Sequence, residues 1–401
     1  MRKQRKIVIL VLFILIFSCS GLTHKSFSQW LPCNQITGSS TNCFDTIDSK
    51  IFCGTSSDIF ISTNNGLDWT NISIYSAEAL THNETYLFAG EWGGVYRTSN
   101  NGLNWETVNS GLPNIHVSSL IYYDSNLFAG IRDSGVFRST NNGDNWIRAN
   151  SGLNVVYITS FSLCGSYMFA GTSNGIYRTS NNGQSWQDLN FNNIIASLAA
   201  NDTRLYAGTR EGKLYVTSNY GNNWTLLFDQ LPSFDVHVTT YENYIFAGLW
   251  DDFYVSTNNG VTWINNDQGL SGFATSVFAF NNFAYFGASG HPLLFRRSIS
   301  ELVGISNTSN VLPEKFLLYQ NYPNPFNSQT TIEFDIKKKG DYSLVIYDCL
   351  GRKRDEVFNE YLNAGSYSVS FNGDELQSGV YFYRLSADGN VVETRKMLLI
   401  K

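Results

Sequence analysis

One eight-residue motif recurs six times in the 401-residue chain, and it constrains the fold more than any other feature. It reads Ser62-Thr-Asn-Asn-Gly-Leu-Asp-Trp69, Thr98-Ser-Asn-Asn-Gly-Leu-Asn-Trp105 and Ser139-Thr-Asn-Asn-Gly-Asp-Asn-Trp146. It returns as Thr179-Ser-Asn-Asn-Gly-Gln-Ser-Trp186, Thr217-Ser-Asn-Tyr-Gly-Asn-Asn-Trp224 and Ser256-Thr-Asn-Asn-Gly-Val-Thr-Trp263. The tryptophans are 36, 41, 40, 38 and 39 residues apart. Self-similarity at that period means one supersecondary unit per repeat.

Each unit has the same layout. A mostly apolar run such as Val117–Tyr123 is followed by a turn and a second run ending Phe-Ala-Gly, as in Leu127–Gly130. A variable loop leads to a third run, such as Gly135–Ser139. The motif makes the next turn, and its Trp opens a fourth run. Four short strands in about 40 residues is the pattern of a propeller blade. The motif's parts fit this role. Gly66, Gly102, Gly143, Gly183, Gly221 and Gly260 can adopt positive φ in a tight turn. The preceding Asn and the opening Ser or Thr can bond neighbouring backbone groups. The Trp is a large plate suited to packing between blades. Residues 284–300 repeat the second and third strands but lack the motif, and Trp30 precedes the first unit. This predicts that Trp30 supplies the outer strand of a seventh blade. An N-terminal strand would then close the ring and leave no exposed sheet edge.

The six motifs resemble Asp boxes, the repeats of sialidases, of photosystem II assembly-factor-like propellers and of some glucan-cleaving enzymes. The resemblance covers residues 29–303 and implies the fold, not an activity, because the box is a turn shared by enzymes and non-enzymes. Its usual acidic residue is Asn in every copy (Asn64, Asn100, Asn141, Asn181, Asn219, Asn258). The box is therefore not expected to act as an acid or to bind a metal.

The N-terminus reads as an export leader. Arg2, Lys3, Arg5 and Lys6 precede an apolar run, Ile7–Phe17, too short to span a bilayer. Ser26-Phe-Ser28 places cleavage after Ser28, with the signal peptide at 1–28 and no membrane-spanning segment in the mature chain. Removing 1–28 leaves 22 basic against 33 acidic residues, a formal charge of −11. That argues against nucleic acid or an anionic membrane as partner. Five cysteines remain after cleavage, and Cys33–Cys43 is the one pair worth considering as a disulfide. Cys53 stands where other repeats have Ala and reads as a small buried residue.

After Val303 the repeat stops. Residues 304–314, rich in Ser and Asn, read as a linker. Residues 315–401 carry runs at 331–336, 342–348, 366–371, 380–385 and 392–399, separated by turns such as Lys339-Gly340 and Asn372-Gly373. This is the pattern of a small immunoglobulin-like β-sandwich. The expected fold class is thus all-β, a seven-bladed propeller followed by a small sandwich. The segment closely resembles a type IX secretion system sorting domain of type A. The residues that carry it are Gln320-Asn-Tyr-Pro-Asn-Pro-Phe-Asn327, Tyr347-Asp348, Gly351-Arg352, Ala364-Gly365, Ser378-Gly-Val-Tyr-Phe-Tyr383 and Lys396–Lys401. The resemblance implies engagement of that secretion machinery by residues 315–401, then secretion or attachment at the outer surface of a Gram-negative bacterium. Ser328 departs from it, standing where Pro is common.

Propeller geometry says where a site belongs. Loops between second and third strands, with the segments leading into first strands, surround the channel mouth opposite the motif turns. There lie Glu91-Trp92, Arg132-Asp133, Arg210-Glu211, Trp250-Asp251-Asp252 and His291. The segments leading inward contribute Ser76, His116, Tyr157, Ile194, His237 and Phe273. Tryptophans among carboxylates and arginines suit a carbohydrate. A glycosidase would need two carboxyl groups across the sugar. Glu91, Asp133, Glu211, Asp251 and Asp252 supply carboxylates, but the sequence selects no pair. Arg97, Arg138 and Arg178 hold one repeat position beside the opposite-face turns and read as structural. His116 and His237 lie three blades apart, too far to share a metal. No catalytic residue, metal or cofactor is assigned. The expected function is an exported propeller that binds a glycan or surface protein. The alternatives are a glycoside hydrolase acting on extracellular polysaccharide and an assembly factor for a membrane complex.

Overall fold

The computed structural model describes residues 29–401 except 74, 114–115, 155–156, 202, 230–234, 262, 304, 310–312, 363 and 374–375. The expected signal peptide and its cleavage after Ser28 lie outside the described residues. Among the described residues the chain is all-β apart from one helical turn, Ile299–Leu302.

Between residues 31 and 298 the described strands form seven four-stranded antiparallel sheets. Six of them take their four strands consecutively from the chain, as in Val117–Tyr123, Asn126–Ile131, Gly135–Ser139 and Ile147–Arg148. The seventh consists of Ala274–Phe280, Phe283–Ala288 and Leu294–Ser298, completed by Leu31–Pro32. Leu31 pairs with Arg296 there, as Ile147 pairs with Arg138 in the third sheet. The innermost strands touch one another in a closed cycle, in which Ala274–Phe280 of the seventh sheet meets Thr41–Ile47 of the first.

The second strand of each sheet is apolar on both faces because neighbouring sheets cover both. Phe88, Phe128, Phe169, Tyr206, Phe246 and Phe286 are fully buried. The glycine ending each of these strands permits close approach to the next sheet. A Cβ on Gly130 would lie 2.8 Å from Ile158 Cβ, and one on Gly287 would lie 3.0 Å from Thr41 Cβ, across the closure.

The recurring motif contains a tight turn whose two central residues have positive φ, such as Asn142 (56°) and Gly143 (92°), within the longer connection from third to fourth strand. Ser139 Oγ accepts from Gly143 N at 2.9 Å, and Asn141 Oδ1 accepts from Asn145 N at 3.0 Å. Three of the turns also fasten sheets together. Arg97 donates to Asn142 O (2.7 Å), Arg138 to Asn182 O (2.9 Å) and Arg178 to Tyr220 O (2.7 Å), each from the preceding sheet. The tryptophan indoles reach backwards: Trp105 donates to Ile72 O, Trp146 to Val108 O and Trp186 to Ala149 O. Trp30 donates to Asn266 O at 2.7 Å, the same relation to the sixth sheet. Trp69 and Trp263 instead bond the Gly carbonyl of their own turn. Trp224 Nε1 has no partner.

Cys33 and Cys43 are free thiols. They stand at opposite edges of their sheets: Cys33 follows the outer strand Leu31–Pro32, whereas Cys43 lies on an inner strand, and each bonds a different backbone carbonyl. Cys53 is fully buried.

The C-terminal region forms two four-stranded antiparallel sheets. One contains Gln329–Ile336 and Gly365–Asn372, the other Gly340–Asp348, Lys353–Leu362, Gly379–Ala387 and Asn390–Leu399. Ile332, Phe334 and Val369 from the first meet Leu344, Ile346, Tyr383 and Leu385 from the second in one apolar cluster. That cluster continues through Ile299, Leu302 and Val303 to Trp30 and Phe253.

The segment expected as a linker departs from the expectation. Ile305–Ser309 is an edge strand paired with Gly365–Asn372, and Leu317–Leu318 pairs with Gln329–Ile336 at the other edge. Ser and Asn give weak strand propensity, but a ready-made sheet edge supplies the backbone partners that composition does not reveal. A fragment 303–401 should therefore melt about 5 °C or more above a fragment 315–401, from roughly 1 kcal/mol of strand pairing in a domain of this size. Equal melting temperatures by circular dichroism would show the strand to be dispensable.

Candidate binding site

The inner strands surround a central cavity of about 360 Å³. Its waist is shaped by β-bulges. Register shifts at the start of five inner strands leave Asn42, Ser118, Thr159, Ala196 and Thr275 unpaired, and all five line the cavity. Some of their polar groups bind across sheets: Ser118 Oγ donates to Ile158 O at 2.6 Å and Asn42 Nδ2 to Ala77 O at 3.2 Å. Polar groups of the waist thus help to hold the ring.

Four of the residues expected at the mouth line the cavity: His116, Tyr157, Arg210 and His237. Glu78 and Asp235 join them. Sequence reasoning missed these two, although each sits within two residues of an inner-strand start and that signal was available.

The mouth is organised in three clusters. In the second sheet, Glu78 N–H donates to Gly90 O at 2.8 Å, which sets Glu78 beside Glu91. Ser76 Oγ donates to Glu91 at 2.9 Å. Burial, and then the charge of Glu91, raises the Glu78 carboxyl above its ordinary pKa. The Tyr96 hydroxyl is pushed up to about 12 by burial and then by Glu91.

The second cluster crosses to the third and fourth sheets. The Trp92 ring stacks on His116 with centroids 4.5 Å apart and planes 11° apart, and Trp92 remains 64% exposed. His116 is only 8% exposed, and among the described residues neither ring nitrogen has a hydrogen-bond partner. Burial first and the neighbouring Arg132 second lower its pKa. Arg132 N–H donates to His116 O at 2.9 Å, and its guanidinium lies 5.4 Å over the Tyr157 ring.

The third cluster joins the fifth and sixth sheets. Arg210 Nε lies 3.7 Å from Asp235 Oδ2, both side chains nearly half exposed. Beside them His237 is pushed down to about 4, by burial first, with Asp235 opposing and Arg210 assisting.

The other expected residues stand apart from these clusters. Trp250 packs against Phe273 with centroids 3.7 Å apart, which covers much of its surface. Asp133 occupies a positive-φ turn position (60°). Glu211 faces Lys213 at 3.6 Å, and Asp252 accepts from Asn265 Nδ2 at 3.2 Å. Asp251 is exposed at a loop tip. Among the described residues no three potential metal ligands come together, and no helix is long and apolar enough to cross a membrane.

The depressed His237 gives a signed pH dependence. Its folded state holds the ring neutral while the unfolded chain takes up a proton near pH 6.5. Its contribution to stability is therefore complete above about pH 6.5 and is lost as pH falls towards about 4. His82 acts oppositely, because its hydrogen bond with Asp45 raises its pKa; that contribution is present at acid pH and is lost as pH rises through the raised value. His237→Gln should flatten the stability profile between pH 6.5 and 4 in urea titrations. An unchanged profile would mean that His237 titrates normally when folded.

Residues 320–401 match the family model of the secretion system C-terminal sorting domain. No curated protein sequence matches the chain. Among solved structures it is similar to the extracellular domain of the putative one component system BT4673 from B. thetaiotaomicron, at 11% identity and TM-score 0.56, covering 92% of this chain and 59% of that one. It is similar to PorZ, titled an essential bacterial surface component of the type-IX secretion system of Porphyromonas gingivalis, at 13% identity and TM-score 0.55, covering 90% and 60%. YCF48 from Cyanidioschyzon merolae is similar at 14% identity and TM-score 0.54, over 68% of this chain and 100% of that one. The chain thus spans about three-fifths of the length of BT4673 and PorZ. At these identities the likeness concerns the fold, an all-β arrangement of four-stranded sheets shared with β-propellers. Residues 320–401 are a type IX C-terminal sorting domain, and the protein is secreted or held at the outer-membrane surface of a Bacteroidetes-type Gram-negative bacterium.

Proposed function

We propose that the exported chain is a seven-bladed Asp-box propeller, followed by an immunoglobulin-like sorting sandwich, and that it works as a surface binding or scaffold module with its ligand seated at the channel mouth. The seven sheets and the closed cycle of inner strands support the blade count. The observation that carries the functional reading is the Trp92–His116 stack. A largely exposed indole, backed by a second ring and so held in one orientation, is a plate ready to receive the apolar face of a sugar. A glycan is the favoured ligand on that ground, with a surface protein as the other candidate. The likeness to PorZ, a bacterial surface component of the type-IX secretion system, accords with a scaffold role. The likeness to YCF48, solved bound to D1 peptide, accords with capture of a peptide segment.

One observation favours the hydrolase alternative. Glu78 precedes and Glu91 follows two directly paired residues, Ala79 and Gly90, on adjacent strands, and their environments differ. Glu78 is raised by burial, whereas Glu91 accepts a hydroxyl hydrogen bond. Two carboxyl groups in unequal environments are one requirement of acid–base catalysis on a glycoside.

A glycan-array screen of the protein starting at Gln29, with products followed for every polysaccharide bound, separates these readings. The expected result is binding weakened about tenfold or more in Trp92→Ala, without products. Products that disappear in Glu91→Gln would establish the hydrolase. Silence on all glycans would leave a protein partner.

A further inference from the structure

Among the described residues of the mouth, Arg132 has no ion-pair partner. Arg97 pairs with Glu106 and Asp144, Arg210 faces Asp235, and Arg138 and Arg178 donate to turn carbonyls. Among the described residues Arg132 makes no ion pair with any acidic side chain, although it is exposed at a site crowded with carboxylates. Its position is nonetheless fixed. The backbone bond to His116 O sets its origin, and the Tyr157 ring supports its guanidinium. A planar cation held this way keeps its fork of N–H donors free for a ligand.

The same backbone bond ties Arg132 to the His116 that carries Trp92. Two stacked pairs, Trp92 on His116 and Arg132 on Tyr157, therefore stand side by side across three sheets. Glu91, the neighbour of Trp92 in sequence, is oriented by Ser76. Both Glu91 and Arg132 act by charge on the His116 that carries the plate, so an acceptor and a cation stand near it together.

We propose that this platform binds a carboxylated pyranose, a hexuronate unit of an acidic polysaccharide. The inference rests on the reading of the mouth as a glycan site. The sugar's apolar face lies on the outer face of Trp92. Its hydroxyls donate to Glu91, and its ring carboxylate takes the Arg132 guanidinium in a bidentate pair. The two charged groups orient the ring, since a reversed sugar would set its carboxylate against Glu91 and Glu78. A neutral hexose makes the stack and the Glu91 bonds but leaves Arg132 unpaired. The chain is acidic overall, so the recognition is local and depends on this one arginine.

The test uses the protein from Gln29 to Lys401, calorimetry, and three probes: a hexuronate trisaccharide, the same trisaccharide with its carboxyl groups reduced to alcohols, and a glutamate-rich peptide. Circular dichroism checks that Trp92→Ala and Arg132→Gln are folded. The expected result is that the acidic sugar binds about tenfold or more tightly than its reduced form, the worth of a charge-assisted hydrogen bond. Arg132→Gln then abolishes that preference by weakening the acidic sugar alone, and Trp92→Ala weakens both sugars. Equal affinity for the two sugars, both lost in Trp92→Ala, would overturn the acidic specificity while leaving the glycan reading intact. Binding of neither sugar would remove the glycan reading itself. Preference for the peptide would overturn the proposal in favour of a protein ligand.

Discussion

Every sheet between residues 31 and 298 buries both faces against its neighbours, and the rest of the structure follows from that. A two-sided apolar strand such as Leu127-Phe-Ala cannot end a row, because the last sheet would expose a full face of phenylalanine and tyrosine to water. Closing the row removes the problem. The glycines at the ends of the second strands let sheets approach at the inner radius, while indole and guanidinium groups fasten them at the outer radius. The seventh sheet has no motif of its own, and Trp30 brings it the missing fastener from the other end of the sequence.

A ring held this way separates structure from recognition. Polar groups of the waist bond neighbouring sheets, and those of the turn face stabilise the turns and receive arginines from the preceding sheet. The loops between second and third strands carry neither duty, so their side chains are free to differ from repeat to repeat. Trp92 and Trp250 show what that freedom produces. They occupy comparable loops, yet Trp250 folds onto Phe273 whereas Trp92 lies on His116 and keeps most of its surface open. The partner below the ring decides which tryptophan serves a ligand.

The architecture was legible because the motif couples local turn chemistry to a fixed period, and Trp30 marked the closing strand by residue type alone. The edge strand at 305–309 was not, since backbone pairing with a waiting sheet edge leaves no side-chain pattern. Proximity of Cys33 and Cys43 in sequence misled for a related reason: the ring places them on opposite edges of neighbouring sheets. At the mouth, residue types were readable but their grouping was not. Glu78 and Asp235 sit one or two residues outside their inner strands, whereas the Glu211 and Asp252 carboxylates are taken up by Lys213 and Asn265. Which charged residue faces a neighbour and which faces the channel depends on sheet-to-sheet rotation, a property of the closed ring that no single repeat contains.

The most direct measurement of this account is native-state hydrogen exchange on Trp30→Ala. Loss of a buried tryptophan side chain costs about 3–5 kcal/mol, and the account places that cost at the closure. Exchange should rise in residues 294–298 and 41–47, on either side of the seam, well before it rises in the strands at 158–172. Uniform loss of protection in all sheets would still fit a ring that opens and melts as one unit. Unchanged protection at 294–298 and 41–47 would contradict the central claim that the N-terminal strand closes the ring.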